Sequence, residues 1–521
     1  MNPDIARYRG FILKIKNLLM SHTYNDVMTE VSRINSAKGW LNAAIGGTFG
    51  VPGMTGDSSL ADMSTNIGLI DTDPHPDYAL PWIMADGSSG FVVPVTMGRN
   101  RGADVTVSLV PHPDNAGAIV MTTMTSGAQW GLNQLPAGMR GRYCMDARPG
   151  NTPDTNNYAG QNNTWSDSSC PYWHRMKFAL SHYDNTFRCS LYQAGSWTHA
   201  ASSMNQASTS GFNSLPIAVF GSSYVYNDKV AMRPNGNNKY FSSKGTMLYD
   251  IAFTTGTYDS SVIGDTYTPV LHWDRVYKKY RPCLYESANR KYSSFAIGEG
   301  DNFPDDGRDG AYYIAPDLTI MGDNNPMTST GSKAFATNIP NKAGNKLIVV
   351  GRVTRSSSSI NPGGQKNFVS VNSADSTYSL NIYMGGEASG SYKTIKVAEN
   401  SGSGNVTTTY FTANSNNSYF TIMYTGASNS LWYSYYSISA LTTSNAYHNH
   451  KSVTRSTLPT QDDSLRGNYT FRMYKTTQDL LSIYAYIIYD SNDVLTNYIV
   501  PCLNSSNSIV LYDVITKTLY T

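Results

Sequence analysis

From about residue 79 to the C-terminus, apolar positions recur with a period of two. Val105, Val107 and Leu109 alternate with Asp104, Thr106 and Ser108. Met176, Phe178 and Leu180 repeat the pattern, as do Phe187, Cys189 and Leu191. Further on, Tyr378, Leu380, Ile382 and Met384 alternate with Ser379, Asn381 and Tyr383. Successive side chains of a strand point to opposite faces, so each run predicts a strand with one buried face. Polar turn clusters separate the runs. Thr425-Gly426-Ala427-Ser428-Asn429-Ser430 lies between Tyr419–Tyr424 and Leu431–Ile438 and predicts a hairpin. Many short antiparallel strands joined this way build sandwiches or barrels.

Residues 1–45 follow another period. Ile5, Tyr8, Ile12, Ile15 and Leu19 recur at steps of three and four, with Arg7, Arg9, Lys14 and Lys16 largely off that line. Val27, Val31 and Ile34 follow, opened by an Asn25 or Thr23 cap with Glu30 in reach of the first turns. Two such helices either pack on a neighbouring domain or anchor and oligomerise the chain, because two heptads are marginal alone. Residues 46–79, rich in Gly, Asp, Ser and Pro, predict an irregular connector.

The chain also repeats itself. Tyr280-Arg281-Pro282-Cys283-Leu284 returns as Ile499-Val500-Pro501-Cys502-Leu503, with Ser287 and Ser506 each four beyond the cysteine. A hydrophobic strand precedes each copy, Met247–Phe253 and Leu481–Tyr489. This divides the chain into units at 80–298 and 311–521, each of a size that one sandwich can fill. The acidic, Gly-rich stretch 299–310 between them reads as a solvated linker.

Composition narrows the function classes. Of 521 residues only 15% are charged, and Gly 43 and Tyr 38 stand out beside abundant Ser, Thr and Asn. A net charge of +2 provides no field that would favour a nucleic-acid partner. Hydrophobic residues at 40% are enough to fill a core. The five cysteines, Cys144, Cys170, Cys189, Cys283 and Cys502, are too sparse for a disulfide framework and read as free buried thiols. The stretch from Gly10 to Met20 is interrupted by Lys14 and Lys16 and lacks a cleavage site, so no signal peptide is expected. Leu480 to Tyr489 is too short to cross a bilayer as a helix, and no membrane insertion is expected.

A resemblance enters at the C-terminus. Ile483–Tyr489 with Asp490, then Tyr498-Ile499-Val500-Pro501-Cys502-Leu503, then Ile509-Val510-Leu511-Tyr512-Asp513 through Leu519-Tyr520, resembles the ending of laminin-G-like, concanavalin A-type jelly-roll domains in bacteriophage tail and appendage proteins. Pro81-Trp82-Ile83-Met84-Ala85-Asp86-Gly87-Ser88-Ser89-Gly90-Phe91-Val92 looks like that family's first strand pair. The first copy's ending, Tyr285-Glu286-Ser287-Ala288-Asn289-Arg290-Lys291-Tyr292, departs from it by lacking Leu-Tyr-Asp after the cysteine. The resemblance implies a mainly β fold: two tandem laminin-G-like sandwiches after a short helical segment. It further implies a virion structural protein, a head or tail fibre made in the host cytoplasm. Such a protein is often homotrimeric, with other virion proteins and a host-surface glycan as partners. A virion-associated polysaccharide depolymerase and a purely architectural decoration protein are the alternatives.

The residues themselves favour recognition over catalysis. Glycoside hydrolysis needs two placed carboxylates, and Glu286, Glu299, Glu387 and Glu399 sit in turn-like or inter-strand contexts without such spacing. The histidines of Asp73-Pro74-His75-Pro76-Asp77, His112 beside Asp114, and His448-Asn449-His450 lack a convergent metal-ligand pattern and read as turn residues. Asp301, Asp305, Asp306 and Asp309 offer oxygen ligands for calcium, but their spacing misses the calcium-loop pattern, so no metal or other cofactor is expected. Sugar recognition calls for flat aromatic faces with amides or carboxylates nearby. Trp165 and Trp173 with Asn162 and Asp167 meet that description, as do Trp432 and Tyr436 on one face of a strand. The basic run Arg275, Lys278, Lys279, Arg281 reads as a charged edge strand that blocks aggregation, or else as a contact for an anionic polysaccharide or neighbouring subunit.

Overall fold

The computed structural model describes residues 75–96, 101–110, 118–124, 129–134, 143–148, 173, 175–183, 186–193, 196–199, 204–205, 216–226, 229–232, 244–255, 262–298, 305–321, 333–342, 344–353, 366–372, 379–386, 393–400, 405–413, 418–425, 430–437, 451–454, 470–475 and 481–521. The expected helices of 1–45, with Ile5, Tyr8, Ile12, Ile15 and Leu19, lie outside these residues. The described elements are strands in four sheets.

One sheet runs Ser196–His199, Thr186–Gln193, Arg175–Tyr183, Arg101–Ser108, Met247–Thr255, Val262–Asp274, Lys279–Glu286, Lys291–Tyr292. Another runs Lys451–Thr454, Ser430–Ser437, Ser418–Thr425, Lys346–Val353, Leu481–Tyr489, Leu495–Leu503, Ile509–Asp513, Thr518–Tyr520. Taken in chain order, the two paths are the same. Their partner sheets agree as well: Ser89–Thr96, Pro216–Val219, Ala118–Met124, Gln129–Gln134, Tyr143–Arg148 matches Lys333–Pro340, Thr470–Lys475, Lys366–Asn372, Ser379–Gly386, Lys393–Asn400. The expected hairpin is present, Ser418–Thr425 pairing antiparallel with Ser430–Ser437.

This duplication corrects the sequence register. Tyr78 and Ala79, expected in an irregular connector, form an edge strand on Leu271 and Val270, and Thr319 and Ile320 do the same on Leu503 and Cys502. Pro269 faces Leu284 across the first pair and Pro501 faces Leu511 across the second. The counterpart of Pro501-Cys502 is therefore Pro269-Val270, one strand before Pro282-Cys283. The missing Leu-Tyr-Asp of the first copy is Leu284-Tyr285-Glu286, since Glu286 occupies the place of Asp513. Each carboxylate receives backbone N–H groups of the turn that follows: Ala288 and Asn289 donate to Glu286, both at 2.7 Å, and Ile515 donates to Asp513 at 3.1 Å. Each turn closes through a cationic residue at positive φ, Arg290 at 55° and Lys517 at 56°. Asp274 and Lys278 (φ 49°) build a third turn of this type.

The second sandwich buries both faces of one sheet. Leu347, Val349, Ile483, Tyr486, Ile488, Ile499 and Leu511 meet Phe335, Val369, Phe471 and Met473 of its partner sheet. The alternate residues Ile348, Val350, Ala485, Ile487, Tyr498, Val500, Cys502, Val510 and Tyr512 join a cluster that includes Leu109, Val110, Trp173, Met247 and Leu248 of the first unit. Antiparallel sheets commonly leave one face wet and alternate apolar with polar; this one carries the unbroken run Leu347-Ile348-Val349-Val350. One apolar core thus crosses from unit to unit. Cys283 and Cys502 are free and buried, as expected of thiols used as small hydrophobes, and burial pushes the Cys502 thiol up to about 12.

Polar contacts fix the same junction. Lys244 donates to the Leu495 carbonyl at 2.9 Å with its ammonium 5.5 Å from the Tyr312 ring centroid, and the Tyr498 hydroxyl lies 3.9 Å from Met247 Sδ. Ala311 and Tyr312, the first residues assigned to the second unit, pair instead with Ala85 and Met84 and add a strand to the first unit. Gly245 turns the chain there at φ 99°, and a Cβ on it would lie 2.8 Å from Leu495 Cδ2. Gly245→Ala combines positive-φ strain with overpacking. It is expected to cost about 2 kcal/mol, read as a lower midpoint in chemical denaturation of the full chain.

Candidate functional site

The described polar and aromatic side chains concentrate on the hairpin formed by Val262–Asp274 and Lys279–Glu286, flanked by residues 75–79 on one side and 305–310 on the other. Three groups make up this site, and the hairpin register sets their faces: Trp273 and Tyr280 share one, His272 and Arg281 the other. His272 pairs with Arg281 and Trp273 with Tyr280, so neighbouring residues face opposite ways.

The first group holds the incoming chain. The His75 ring stacks on Trp273 at 3.9 Å between centroids, and Tyr280 meets Tyr78 edge-on at 4.9 Å. His75 was expected as a turn residue; its function in the fold is this stack. On the other face, Asp77 contacts His272 Nδ1 at 2.8 Å with one carboxylate oxygen and accepts the Tyr292 hydroxyl at 2.6 Å with the other. Burial opposes the Asp77 charge, but the hydrogen bonds from His272 and Tyr292 outweigh it and hold the carboxyl below its ordinary value. An imidazole oriented by a carboxylate is half of a general-base apparatus. Among the described residues, however, His272 has no further hydrogen bond, and its rings of contact are Tyr292 and Phe295.

The second group is a buried ionic knot. Arg281 has no exposed surface. Its guanidinium donates to Asp274, to both oxygens of Asp305 at 2.7 and 2.6 Å, and to the Arg308 carbonyl at 3.1 and 2.7 Å. The Phe295 ring centroid lies 4.5 Å from Cζ. Desolvation works against this charge, and the Asp305 and Asp274 carboxylates more than offset it, so the guanidinium is held more firmly protonated. Two expectations are corrected here. The basic run is not a uniformly exposed edge strand: Arg275 and Lys278 lie in the turn, Lys279 and Arg281 pair on one side with Asp274 and His272, the ladder on the other side begins only at Tyr285, and Arg281 is fully buried. The described part of the acidic stretch, 305–310, is not a solvated linker, because a fully buried cation needs neutralising and draws Asp305 onto the hairpin. Asp309 extends the network across the junction, 3.0 Å from Lys279 and 3.5 Å from Lys517 of the second unit.

The third group is the hairpin tip, residues 275–278, where Val276 and Tyr277 are exposed. Tyr277 donates its hydroxyl to the Asp305 carbonyl at 2.6 Å.

The residues expected to bind sugar are not brought together here. Trp165, Asn162 and Asp167 lie outside the described residues. Trp173 is described and belongs to the core at 6% exposure, its backbone N–H on the Leu109 carbonyl at 2.8 Å, so it offers no face to a sugar. Trp432 and Tyr436 occupy one strand opposite Met423 and Tyr419; their side chains lie outside the described residues. No group of three metal-ligating side chains occurs among the described residues. The carboxylates that the hairpin gathers are all engaged, Asp274 and Asp305 on Arg281 and Asp77 on His272 and Tyr292. Sequence reasoning named Asp77 only as part of a histidine-bearing turn and missed its partners His272 and Tyr292, which are far from it along the chain. The basic run and the acidic stretch were both visible as signals but were taken separately.

No protein-family model matches the chain, and no curated protein matches it. Among solved structures, tailspike protein 2 from Escherichia coli O157:H7 bacteriophage CAB120 is similar at 13% identity and a TM-score of 0.25, over 33% of this chain and 25% of that one. Its enzymatically active domain is similar at 12% identity and a TM-score of 0.24, over 30% and 24%. The chain thus spans about a quarter of the length of the tailspike chains it matches. The mouse laminin alpha1 chain, domains LG4-5, is similar at 11% identity and a TM-score of 0.24, over 82% of this chain and 92% of that one. These are distant likenesses among β-rich folds and carry nothing about activity.

Two outcomes are expected from the clamp and the knot. Arg281→Met leaves two carboxylates facing an apolar side chain and is expected to cost about 3–5 kcal/mol, measured by chemical denaturation. Arg281→Lys restores the charge without the fork and is expected to recover only part of that loss. Asp77, whose folded pKa lies below its unfolded value, stabilises the fold above the ordinary carboxylate range, and that contribution is lost as pH falls through the folded pKa. Asp77→Asn is therefore expected to lower stability at neutral pH and to flatten the acid limb of a stability–pH curve.

Proposed function

We propose that this chain is a structural component of a bacteriophage virion, a head- or tail-fibre part that assembles through residues 1–45 and touches a host-surface glycan with its sandwiches. The observation that carries this reading is the core shared by the two sandwich units. A sheet buried on both faces, with Asp309 and Lys244 bridging the junction, resists bending between units. Independent enzyme modules do not need that property, whereas an appendage that transmits load does. The C-terminal resemblance to phage appendage domains and the duplicated strand path support it further.

The engagement of Asp77, Asp274 and Asp305 in structural bonds favours recognition over hydrolysis at this hairpin. Localisation in the virion and a trimeric state belong to the same proposal. The solution mass of the full chain is expected to be that of three copies, falling to one when residues 1–45 are removed. A full chain of single mass would overturn assembly through those residues. Incubation with a bound polysaccharide is expected to release no new reducing ends; their appearance would replace this reading with that of a depolymerase.

A further inference from the structure

The basic run divides sharply at the hairpin tip. Lys279 is paired with Asp309, and Arg281 is spent in the buried knot. Arg275 and Lys278 are exposed on the turn and make no ion pair among the described residues. Between them stands Tyr277, 39% exposed. Its ring is held in place on the inner side. The hydroxyl donates to the Asp305 carbonyl at 2.6 Å, its backbone N–H is 3.2 Å from Asp274 Oδ1, and the Arg281 guanidinium lies 5.3 Å from the ring centroid. Gly307, at φ 77°, lies so close that a Cβ there would be 2.6 Å from two ring carbons. A large exposed aromatic so restrained loses little further conformational freedom on binding. The turn itself is rigid, with Asp274 accepting the Val276 N–H at 2.8 Å and Lys278 at φ 49° closing it.

We propose that this tip binds an acidic polysaccharide, the Tyr277 ring taking the C–H face of one sugar and Arg275 with Lys278 taking its carboxylate. The proposal rests on the glycan-attachment reading and names the class of glycan. A saccharide fits better than a nucleic acid, because the free positive charge is confined to two side chains and the net charge is only +2. Arginine suits a carboxylate through its fork, and the lysine adds a point charge.

The test uses the full chain, with immobilised polygalacturonate as probe, neutral dextran and duplex DNA as comparators, and a panel of neutral polysaccharides. Wild type is expected to bind polygalacturonate in a salt-sensitive manner and to bind dextran and DNA far less. The double variant Arg275→Gln/Lys278→Gln is expected to weaken binding roughly tenfold or more. Tyr277→Ala is expected to weaken it similarly. Tyr277→Phe, which keeps the ring, is expected to retain most of it and guards against a folding defect in the alanine variant. Arg290→Gln removes another exposed turn cation and is expected to change nothing. The proposal is overturned if wild type ignores polygalacturonate, if the double variant binds as wild type does, or if Arg290→Gln weakens binding equally. It is also overturned if DNA binds as tightly with the same dependence on the tip. Capture by a neutral polysaccharide that the double variant retains would reject this site while leaving attachment standing; capture by no polysaccharide would reject both.

Discussion

A fully buried guanidinium sets the terms for this molecule. Arg281 cannot be left alone in an apolar environment, since an unpaired charge there costs far more than any contact returns. Its neutralisation requires Asp274 from the end of one strand and Asp305 from a segment beyond the first sandwich's last strand. Once Asp305 is drawn in, Gly307 comes against Tyr277, Arg308 presents its carbonyl, and Asp309 is delivered between Lys279 and Lys517. One electrostatic requirement therefore converts a polar, glycine-rich segment into the part that fixes the hairpin and aligns the next unit.

The duplicated sandwiches have diverged in how they use equivalent faces. In the second copy, Val500, Cys502, Val510 and Tyr512 are apolar and join the common core. At the matching positions the first copy has Thr268, Val270, Cys283 and Tyr285, and its neighbouring residues are the polar set His272, Arg281 and Tyr292. Topology was retained while one face became an intramolecular interface and the other a clamp for incoming chain. The turn acids Glu286 and Asp513 recur in both units and accept backbone N–H groups of the turn that follows, and each turn ends in a residue at positive φ, Arg290 or Lys517.

Much of the strand content was legible from period-two patterning, since alternation follows directly from the geometry of a half-buried strand. The repeat was legible as well, but its register was not. Pro282-Cys283 and Pro501-Cys502 look equivalent when apolar composition is compared, yet they sit on strands that do not correspond in the two units, and only pairing with the edge strands at Tyr78 and Thr319 tells them apart. The doubly buried sheet was present in the sequence as Leu347-Ile348-Val349-Val350, a break in alternation that signals a second covered face. The Asp77–His272–Tyr292 cluster was not legible, because residues 195 and 215 positions apart are joined only by tertiary folding. Trp173 shows the opposite difficulty: a tryptophan in a polar stretch looks available for a ligand until its burial is known.

The two-faced sheet has a consequence for how the protein can be divided. A chain beginning at the second unit would carry Ile348, Val350, Ala485, Ile487, Val500 and Val510 into water as an apolar surface of the kind that drives association. The first unit, by contrast, would lose a neighbour but keep its own inner layer. The two units are thus unequal in autonomy: the C-terminal one needs the N-terminal one to cover its second apolar face, and the order in which they emerge during synthesis, first unit before second, is the order that keeps that surface covered.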